Sequence, residues 1–501
     1  MDFQKATRIP LSPFPNRIIL LFSLFLRKGF PGGHPCDLLN PTQMTMNKRD
    51  FLKNSALILG TAVLPPFVSC APKKPENVAS PEFLKNWAEN FEFSTSNVHL
   101  PKSVEEVQYL VKNSPKLRVL GSRHSFNRIA DSQESLISFE HLNQVISLDE
   151  KNLQVTVQGG IKYGELAKYL HERGYALHNL ASLPHITVAG TISTATHGSG
   201  VENGNLSSSV SGLEFINASG ELVSLTRNDP EFFGAVVGLG ALGPITQVTL
   251  DIMPTFEVAQ VVYLDLPMES LRENFREIMG AGYSVSLFID WKTSNVTEVW
   301  VKKKVTPGEE LLFPEDFFGA KKASLKMHPV PDLDPESCSE QLGVPGPWFE
   351  RLPHFKMEFQ PSAGKELQSE YFVPFEKGVE GLFAIAEMAE QIHPHLFISE
   401  IRSIKADNLW MSTCYQRDSI AIHTTWKQET EEVMAFLPQM EEKLAPFHPR
   451  PHWAKLFTIP ADQLAARYSK LEEFKALLAK HDPEGKFRNE FIRQHLYGNN
   501  L

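Results

Sequence analysis

The sequence has little cysteine. Cys36, Cys70, Cys338 and Cys414 are its four cysteines in 501 residues. Their spacing matches neither a disulfide framework nor the paired cysteines of a structural zinc site. We therefore predict no disulfide scaffold and no metal site.

Long apolar runs and dense clusters of Lys and Arg are also missing. The longest apolar run near the start, residues 18–26, is much shorter than the ~20 residues that cross a bilayer. The net charge of −10, without a basic cluster, argues against a nucleic-acid partner. A content of 42% hydrophobic and 22% charged residues is typical of a folded globular protein, so we expect a small, uncharged partner.

A candidate export signal begins at Met46. The stretch MNKRDFLKNSALILGTAVLPPFVSCAPKK has a basic start, a short apolar segment and small residues before Cys70. It resembles a bacterial lipoprotein signal, and residues 48–53 resemble a relaxed twin-arginine motif. We predict that residues 1–83 are a leader and tether, that Cys70 carries a lipid, and that the protein is periplasmic or membrane-anchored. The alternative is a disordered basic leader on a cytoplasmic protein.

The remaining chain mixes helical and strand patterns. A capping box at Ser103–Glu106 opens one helix, and Gly174 ends a second helix over residues 163–173. Alternating apolar residues predict hairpins around residues 150–152 and 217–220. Strands dominate after residue 256, and longer helices are predicted over residues 377–391 and 428–444. These patterns predict an α+β fold.

One glycine motif imitates a dinucleotide-binding fingerprint. Residues 238–243 read GLGALG, which matches GxGxxG. That fingerprint requires a helix after its last glycine, because the helix N-terminus binds pyrophosphate. Here Pro244 and an alternating strand follow instead. We predict that these glycines permit a tight backbone approach to something flat.

Two other segments are rich in Gly, Ser and Thr, namely GSRHS at residues 121–125 and LPHITVAGTISTATHGSG at residues 183–200. Such loops can surround a pyrophosphate with backbone N–H groups and hydroxyls. Together, in this order, they resemble the flavin domain of the vanillyl-alcohol oxidase family, in its alditol oxidase and aldonolactone oxidase branch. The resemblance runs from about residue 84 to the end of the chain.

The resemblance implies a PCMH-type fold and a bound FAD. An FAD-binding domain of two α/β subdomains would cover residues 84–256, and a substrate domain with an antiparallel sheet would cover residues 257–465. Residues 466–501 would return to the FAD domain. His124 matches the histidine that bonds covalently to the flavin, and imidazole is a good nucleophile near neutral pH. The other implied FAD-binding residues are Gly121, Ser122, Arg123, Ser125, Thr187, Gly190, Ser193, Thr194 and Ile245.

The substrate side rests on two strand-like runs. Residues two apart on a strand point to the same face. Glu400 and Arg402 can therefore face one pocket, and so can His423 and Thr425. By the same resemblance, Ser182, Gln368 and the Lys455 of HWAK match positions that line the polyol site of alditol oxidases. An ordinary ion pair on a sheet is the structural alternative for Glu400 and Arg402.

These residue types suit the oxidation of an alcohol. Hydride transfer to flavin N5 leaves a proton to be removed and negative charge at the pyrimidine end of the ring. Arg402 and Lys455 would stabilise that charge, Lys455 could accept the proton, and Glu400 would pair with Arg402 and bind a substrate hydroxyl. Ala181, a small residue, would admit oxygen to the flavin.

We therefore predict oxidation of a terminal CH–OH of a sugar alcohol to the aldehyde, with oxygen reduced to hydrogen peroxide. So many hydrogen-bonding groups suit a linear polyol better than a lactone. An aldonolactone oxidase, or a dehydrogenase that uses another electron acceptor, is the alternative enzyme. A lipid-anchored protein that binds polyols without chemistry is the alternative outside the enzymes. The sequence does not specify the oligomeric state.

Overall fold

The computed structural model describes residues 77–79, 84–359 and 365–498. The candidate export signal and Cys70 lie outside the described residues, so the predicted anchor stays a prediction. Among the described residues, none of the helices combines the length and apolar character needed to cross a membrane. Helices and mostly antiparallel sheets alternate along the chain, which confirms the predicted α+β class.

The described strands are β1 (Asn77–Ala79), β2 (Asn97–His99), β3 (Arg118–Leu120), β4 (Leu136–Ser138), β5 (Val145–Asp149), β6 (Gln154–Gln158), β7 (Tyr175–Ala176), β8 (Val210–Ile216), β9 (Leu222–Thr226), β10 (Ile245–Asp251), β11 (Met253–Pro254), β12 (Glu257–Pro267), β13 (Ser284–Ile289), β14 (Asn295–Val305), β15 (Asp316–Phe317), β16 (Ala320–Lys322), β17 (Gly346–Pro347), β18 (Glu366–Pro374), β19 (Leu396–Ile404), β20 (Ser419–Lys427) and β21 (Arg450–Pro451). The described α-helices are Val104–Asn113, Tyr163–His171, Val188–Ser193, Phe232–Ala235, Met268–Met279, Trp348–Arg351, Gly378–Ala386, Ala389–Ile392, Thr430–Leu444, Ala461–Ala465, Leu471–His481 and Glu490–Ile492.

The N-terminal half contains two larger sheets. A four-stranded sheet has the order β1-β2-β4-β3, and a five-stranded antiparallel sheet has the order β5-β6-β10-β8-β9. The hairpins β5–β6 and β8–β9 lie where the alternating pattern predicted them. Ser103 caps the helix Val104–Asn113 by accepting a hydrogen bond from the Glu106 N–H at 3.3 Å. The predicted N-cap is thereby confirmed, while the Glu106 carboxylate accepts from the Lys102 N–H at 2.7 Å.

The structure also confirms that the GxGxxG motif does not open a helix. The strand β10 begins at Ile245, directly after Pro244. Gly243 has a φ of +132°, and a Cβ there would lie 1.9 Å from the Ile216 carbonyl oxygen. The glycine therefore serves close packing of two backbone segments.

The second half is built on a ten-stranded sheet. Its order is β15-β16-β12-β14-β13-β19-β20-β18-β21, with β17 paired to β12 beside this path. Neighbouring strands in it are antiparallel, which confirms the predicted antiparallel sheet. The strands β18, β19 and β20 lie side by side, and they carry the predicted site residues Gln368, Glu400, Arg402, His423 and Thr425.

One predicted helix was wrong in its length. The helix expected over residues 377–391 ends at Ala386, and a separate helix covers Ala389–Ile392. Between them Met388 adopts φ −101° and ψ 8°, outside helical geometry. Buried Leu382, Ile385, Met388 and Ile392 keep a helical spacing through the break, so the apolar pattern does not reveal it.

The C-terminal segment contacts the N-terminal sheets. Buried Phe487 packs in one cluster with Val107, Leu110 and Ile216. The Leu117 N–H donates to the Lys486 carbonyl at 3.1 Å. These contacts agree with a return of the chain to the first domain, while the boundaries at residues 256 and 465 stay predictions.

Candidate active site

A cavity of about 2430 Å³ lies between the glycine-rich loops and the sheet strands β18–β20. Its volume exceeds the ~300–1000 Å³ of an ordinary small-molecule pocket, so it has room for a large cofactor and a substrate. The structure brings every predicted site residue to this cavity, namely Gly121, Ser122, Arg123, His124, Ser125, Ala181, Ser182, Thr187, Gly190, Ser193, Thr194, Ile245, Gln368, Glu400, Arg402, His423, Thr425 and Lys455. Their individual roles stay predictions.

At one end of the cavity, Gly121 and Gly190, the latter in the helix Val188–Ser193, approach each other beside Thr187. A Cβ added to Gly121 would lie 2.7 Å from Thr187 Oγ1, and one added to Gly190 would lie 2.9 Å from the same oxygen. Both distances are too short for a real Cβ unless the Thr187 side chain shifts, so glycine lets these backbone segments lie against Thr187. Backbone groups and the Thr187 hydroxyl thus border the cavity without bulky side chains, which fits the pyrophosphate of FAD.

His124 lies beside this cradle. Its ring stacks on Trp87 with centroids 4.9 Å apart and planes 19° apart. Its Nδ1 lies 3.2 Å from both the carbonyl oxygen and the hydroxyl oxygen of Ser122. Burial, with a smaller effect of His185, lowers the pKa of His124 to about 4. The imidazole is therefore neutral at neutral pH, which is its nucleophilic form.

The loop with Lys455 is tied to the loop with His124. The Asn127 side-chain amide donates to the carbonyl oxygens of Trp453 at 2.8 Å and Lys455 at 2.7 Å. The Phe126 N–H donates to the Ala454 carbonyl at 2.8 Å. Residues far apart in sequence are thus fixed together on one wall of the cavity.

The far end of the cavity is lined by a row of polar residues that crosses three strands. Glu370 on β18 is the register partner of His423 on β20, which is in turn the partner of Glu400 on β19. Gln368 is likewise opposite Thr425. Arg402 lies two residues after Glu400, on the same face of β19. The predicted sharing of one face is confirmed.

Glu370, which sequence reasoning missed, is the central anion of this row. Its Oε1 lies 2.9 Å from Arg402 Nη2 and 3.1 Å from His197 Nε2, and its Oε2 lies 2.8 Å from Lys455 Nζ. Burial alone would raise the pKa of Glu370, but Lys455, His197 and Arg402 lower it well below its usual value. A signal was present, since Glu370 follows the chosen Gln368 by two residues on the same strand face.

Glu400 pairs with Arg402 as predicted, but more loosely than expected. Arg402 Nε lies 3.4 Å from Glu400 Oε1, whereas the shortest carboxylate contact of Arg402 is with Glu370. The closest partner of Glu400 Oε1 is His354 Nε2 at 2.7 Å. Sequence reasoning missed His354, because it lies outside the repeating strands and no local pattern marks it.

Lys455, beside the row, and His423, within it, suit a polar substrate. Burial lowers the pKa of Lys455, and Glu370 opposes that shift. His423 has no hydrogen-bond partner on either ring nitrogen within residues 84–359 and 365–498, although the ring is buried. Burial, and then Lys455, keep the pKa of His423 well below its usual value, so the ring is neutral and can both donate and accept.

His197, Glu370 and His452 place their ligand atoms within 4.8 Å of one another, close enough for a metal ion. However, Glu370 is already paired with the cations Arg402 and Lys455. Those charges oppose a further cation at the same carboxylate. The prediction that the protein has no metal site is thus supported by electrostatics and stays a prediction.

Comparisons with known proteins agree with this site. The FAD binding domain family matches residues 95–226, and the D-arabinono-1,4-lactone oxidase family matches residues 362–495. Alditol oxidase from Streptomyces sp. is 43% identical over 82% of this chain and 99% of its own length. L-gulono-1,4-lactone dehydrogenase from Mycobacterium tuberculosis is 27% identical over 82% of this chain and 98% of its own.

Among solved structures, a cholesterol oxidase from B. sterolicum has a TM-score of 0.70 at 16% identity, covering 85% of this chain and 98% of that one. At this identity the likeness concerns the fold alone. The extent of the alditol oxidase match, together with an FAD-sized cavity built from the matching loops, shows that this chain belongs to the FAD-dependent oxidoreductase family that contains alditol oxidase and the aldonolactone oxidases.

Proposed function

We propose that the protein oxidises linear polyols, taking a terminal CH–OH to the aldehyde and reducing oxygen to hydrogen peroxide. The observation that carries the proposal is the row of Glu370, His423 and Glu400, which faces the cavity with Arg402 and Lys455 beside it. A chain of hydroxyl groups can satisfy such a dense set of donors and acceptors, whereas a ligand with fewer hydroxyls leaves some of them unpaired. The match to alditol oxidase supports the same substrate class.

The residues of the row and its neighbours have different proposed roles. Bound FAD supplies hydride acceptance at N5 and electron transfer to oxygen. Lys455 has a lowered pKa, so its neutral form is accessible and can accept the alcohol proton. Arg402 provides a permanent positive charge for developing negative charge. Glu400 and His423 bind substrate hydroxyls, and Gln368, Thr425 and Ser182 extend the polar wall.

Oxygen uptake tests this proposal directly. The purified protein should consume oxygen and release hydrogen peroxide with xylitol or sorbitol, and respond much less to L-gulono-1,4-lactone. Turnover with the lactone alone would favour the aldonolactone oxidase alternative. Turnover that needs an added dye in place of oxygen would favour a dehydrogenase. A colourless protein without flavin absorbance would favour a binding protein.

We also propose that His124 carries the FAD through a covalent bond. The neutral ring and its place beside the Gly121 and Thr187 cradle support this. After acid precipitation, flavin fluorescence should stay with the native polypeptide and disappear from it in His124→Ala. Fluorescence that leaves the native polypeptide would contradict the covalent bond without contradicting FAD binding.

Two smaller proposals concern oxygen and location. Ala181 is buried at the cavity wall, and we propose that its small side chain leaves a path for oxygen. Ala181→Leu should then slow reoxidation of the flavin by oxygen more than its reduction by polyol. We also propose that the protein is exported and carries a lipid on Cys70. Labelled palmitate should then be incorporated into the native protein and not into Cys70→Ser.

A further inference from the structure

A buried lysine lies behind the polar row, outside the residues assigned to FAD or substrate. Lys302 on β14 is 1% exposed. Its Nζ donates to the carbonyl oxygens of Leu352 at 2.5 Å and Pro353 at 3.4 Å. It also lies 3.3 Å from Nδ1 of His354. An ammonium group has three hydrogens and no lone pair, so all three contacts use it as the donor.

This arrangement decides the tautomer of His354. His354 Nε2 lies 2.7 Å from Glu400 Oε1, and an ionised carboxylate can only accept, so Nε2 carries the proton of the neutral ring and donates it to Glu400. Nδ1 is then left to accept from Lys302. A hydrogen-bonded chain thus runs from Lys302 through His354 to Glu400, one of the proposed substrate ligands.

The imidazole of His354 is also held by its surroundings. The rings of Trp300 and Phe288 contact it edge to face, with centroids 5.2 Å and 5.5 Å away. The His354 N–H donates to the carbonyl oxygen of Ser182 at 3.2 Å, and its carbonyl accepts from the Ser339 N–H at 2.9 Å. His354 therefore connects the carboxylate of Glu400 with the backbone of Ser182.

Burial and nearby charges shift the pKa values of the groups in this hydrogen-bonded series. Burial, and next Lys302, lower the pKa of His354 to about 4, so the ring stays neutral at neutral pH. Burial lowers the pKa of Lys302 to about 7, with Glu400 opposing that shift and Arg402 and Cys338 making smaller contributions. Glu298, on the same face of β14, has its pKa raised to about 7 by burial and accepts from the Trp300 indole.

We propose that Lys302 and His354 are positioning residues that orient the Glu400 carboxylate toward the substrate. The inference rests on the proposed role of Glu400 as a ligand of a substrate hydroxyl. A carboxylate that rotates freely would lose part of its directed hydrogen bond to that hydroxyl. Outer groups that orient a ligand in this way commonly have large effects on a site that they do not touch.

Nitrogen-15 NMR of histidine-labelled protein tests the tautomer without any turnover. The signals of His354 are identified by their absence in His354→Gln. In the native protein they should show a bare Nδ1 and a protonated Nε2. In Lys302→Met the ring should titrate at a higher pH, because the neighbouring cation that opposes its protonation is gone. A protonated Nδ1 in the native protein, or an unchanged titration in Lys302→Met, would overturn the proposal.

Kinetics with xylitol test the consequence. Lys302→Met and His354→Ala should each lower kcat/KM by about tenfold to a hundredfold, as expected for loss of a hydrogen bond to a charged group. His354→Gln can accept from Lys302 and donate to Glu400, so it should recover most of that loss. Flavin absorbance and the melting temperature of each variant separate this effect from misfolding.

Lys304→Met is the matched control. Lys304 lies two residues further along β14, where its Nζ sits 4.1 Å from the ring centroids of Phe256 and Tyr283, and it does not line the cavity. It should keep its activity. A loss of kcat/KM in Lys304→Met as large as that in Lys302→Met would overturn the proposal. So would a His354→Gln variant that has full FAD content but is no more active than His354→Ala. If the native protein does not oxidise polyols, the NMR result still decides whether the hydrogen bonds from Lys302 through His354 to Glu400 exist.

Discussion

Glu370 shows how one side chain can organise several others. It is completely enclosed, yet it is paired with the side chains of Arg402, Lys455 and His197. Removing one partner from a buried ion pair lowers the free energy of unfolding by more than the intact pair contributes to it, because the remaining charge stays buried without a partner. The carboxylate of Glu370 therefore holds Arg402 and Lys455 at fixed positions beside the cavity.

Glu370→Gln should be strongly destabilising at neutral pH. The variant leaves Arg402 and Lys455 without their shared anion, which we expect to lower the free energy of unfolding by about 3–5 kcal/mol. The pKa of Glu370 is depressed in the folded state, so its stabilising effect exists above the ordinary value of 4.5 and is lost as pH falls below it. The difference between native protein and variant should therefore shrink in acid.

Urea unfolding at neutral pH and at a series of acidic pH values measures this difference. Glu376→Gln is the control, since Glu376 is 77% exposed and pairs with an exposed Arg276. Surface pairs contribute little, so the control should behave like the native protein. A difference for Glu370→Gln that grows as pH falls would contradict the assigned direction of its pKa.

At the scale of elements, the strands β18, β19 and β20 have two faces with different roles. One face carries the polar row, and the other packs in the core. Glu370, His423 and Glu400 form one row across the sheet, and Tyr371, Ile422 and Ile401 form the next row. Successive residues point to opposite faces, so the second row is turned away from the cavity and packs in the main core. A shift of one residue in register would exchange the two rows.

Ile422→Ala should reduce stability and leave the polar row in place. Ile422 is fully buried, and truncating such a side chain costs about 2–5 kcal/mol of unfolding free energy. The folded variant should keep the KM of the native enzyme for xylitol, because backbone register still aligns the other face. Ile146→Ala, at a position 50% exposed, should change neither quantity appreciably. A large rise in KM for Ile422→Ala would show that the two faces are not independent.

At the scale of the whole molecule, the two ends of the described chain support one cavity. Buried Arg118 donates to the carbonyl oxygens of Gly240 at 2.7 Å and Phe487 at 2.8 Å. Gly240 lines the cavity, and Phe487 belongs to the C-terminal segment. The last part of the chain therefore stabilises the loops that form the FAD end.

Phe487→Ala should weaken both folding and cofactor retention. Phe487 is 1% exposed, and loss of a buried aromatic ring costs about 3–5 kcal/mol. We expect a lower melting temperature and less flavin absorbance per polypeptide than in the native protein. Leu222→Ala, at a half-exposed position on β9, serves as the control. Native flavin content together with a native melting temperature in Phe487→Ala would contradict the supporting role.

Much of the site could be predicted because its signals are local. Glycine at Gly121 and Gly190 permits close approach to Thr187, and strand alternation predicts that Glu400 shares a face with Arg402. The family resemblance then gave the remaining positions, and all of them line the cavity. Local periodicity and turn chemistry depend on neighbouring residues, so the amino-acid order alone determines them.

The pairing of charges was decided only by the tertiary structure. Sequence assigned Glu400 as the partner of Arg402, but strand order places Glu370 nearer to Arg402. His354 and Lys302 are separated by 52 residues and meet through a loop that has no repeating pattern. Coulomb and hydrogen-bond energies depend on distance and burial, which the fold creates between residues remote in sequence. For that reason the sequence determined which chemical groups are present, and the fold determined which of them act together.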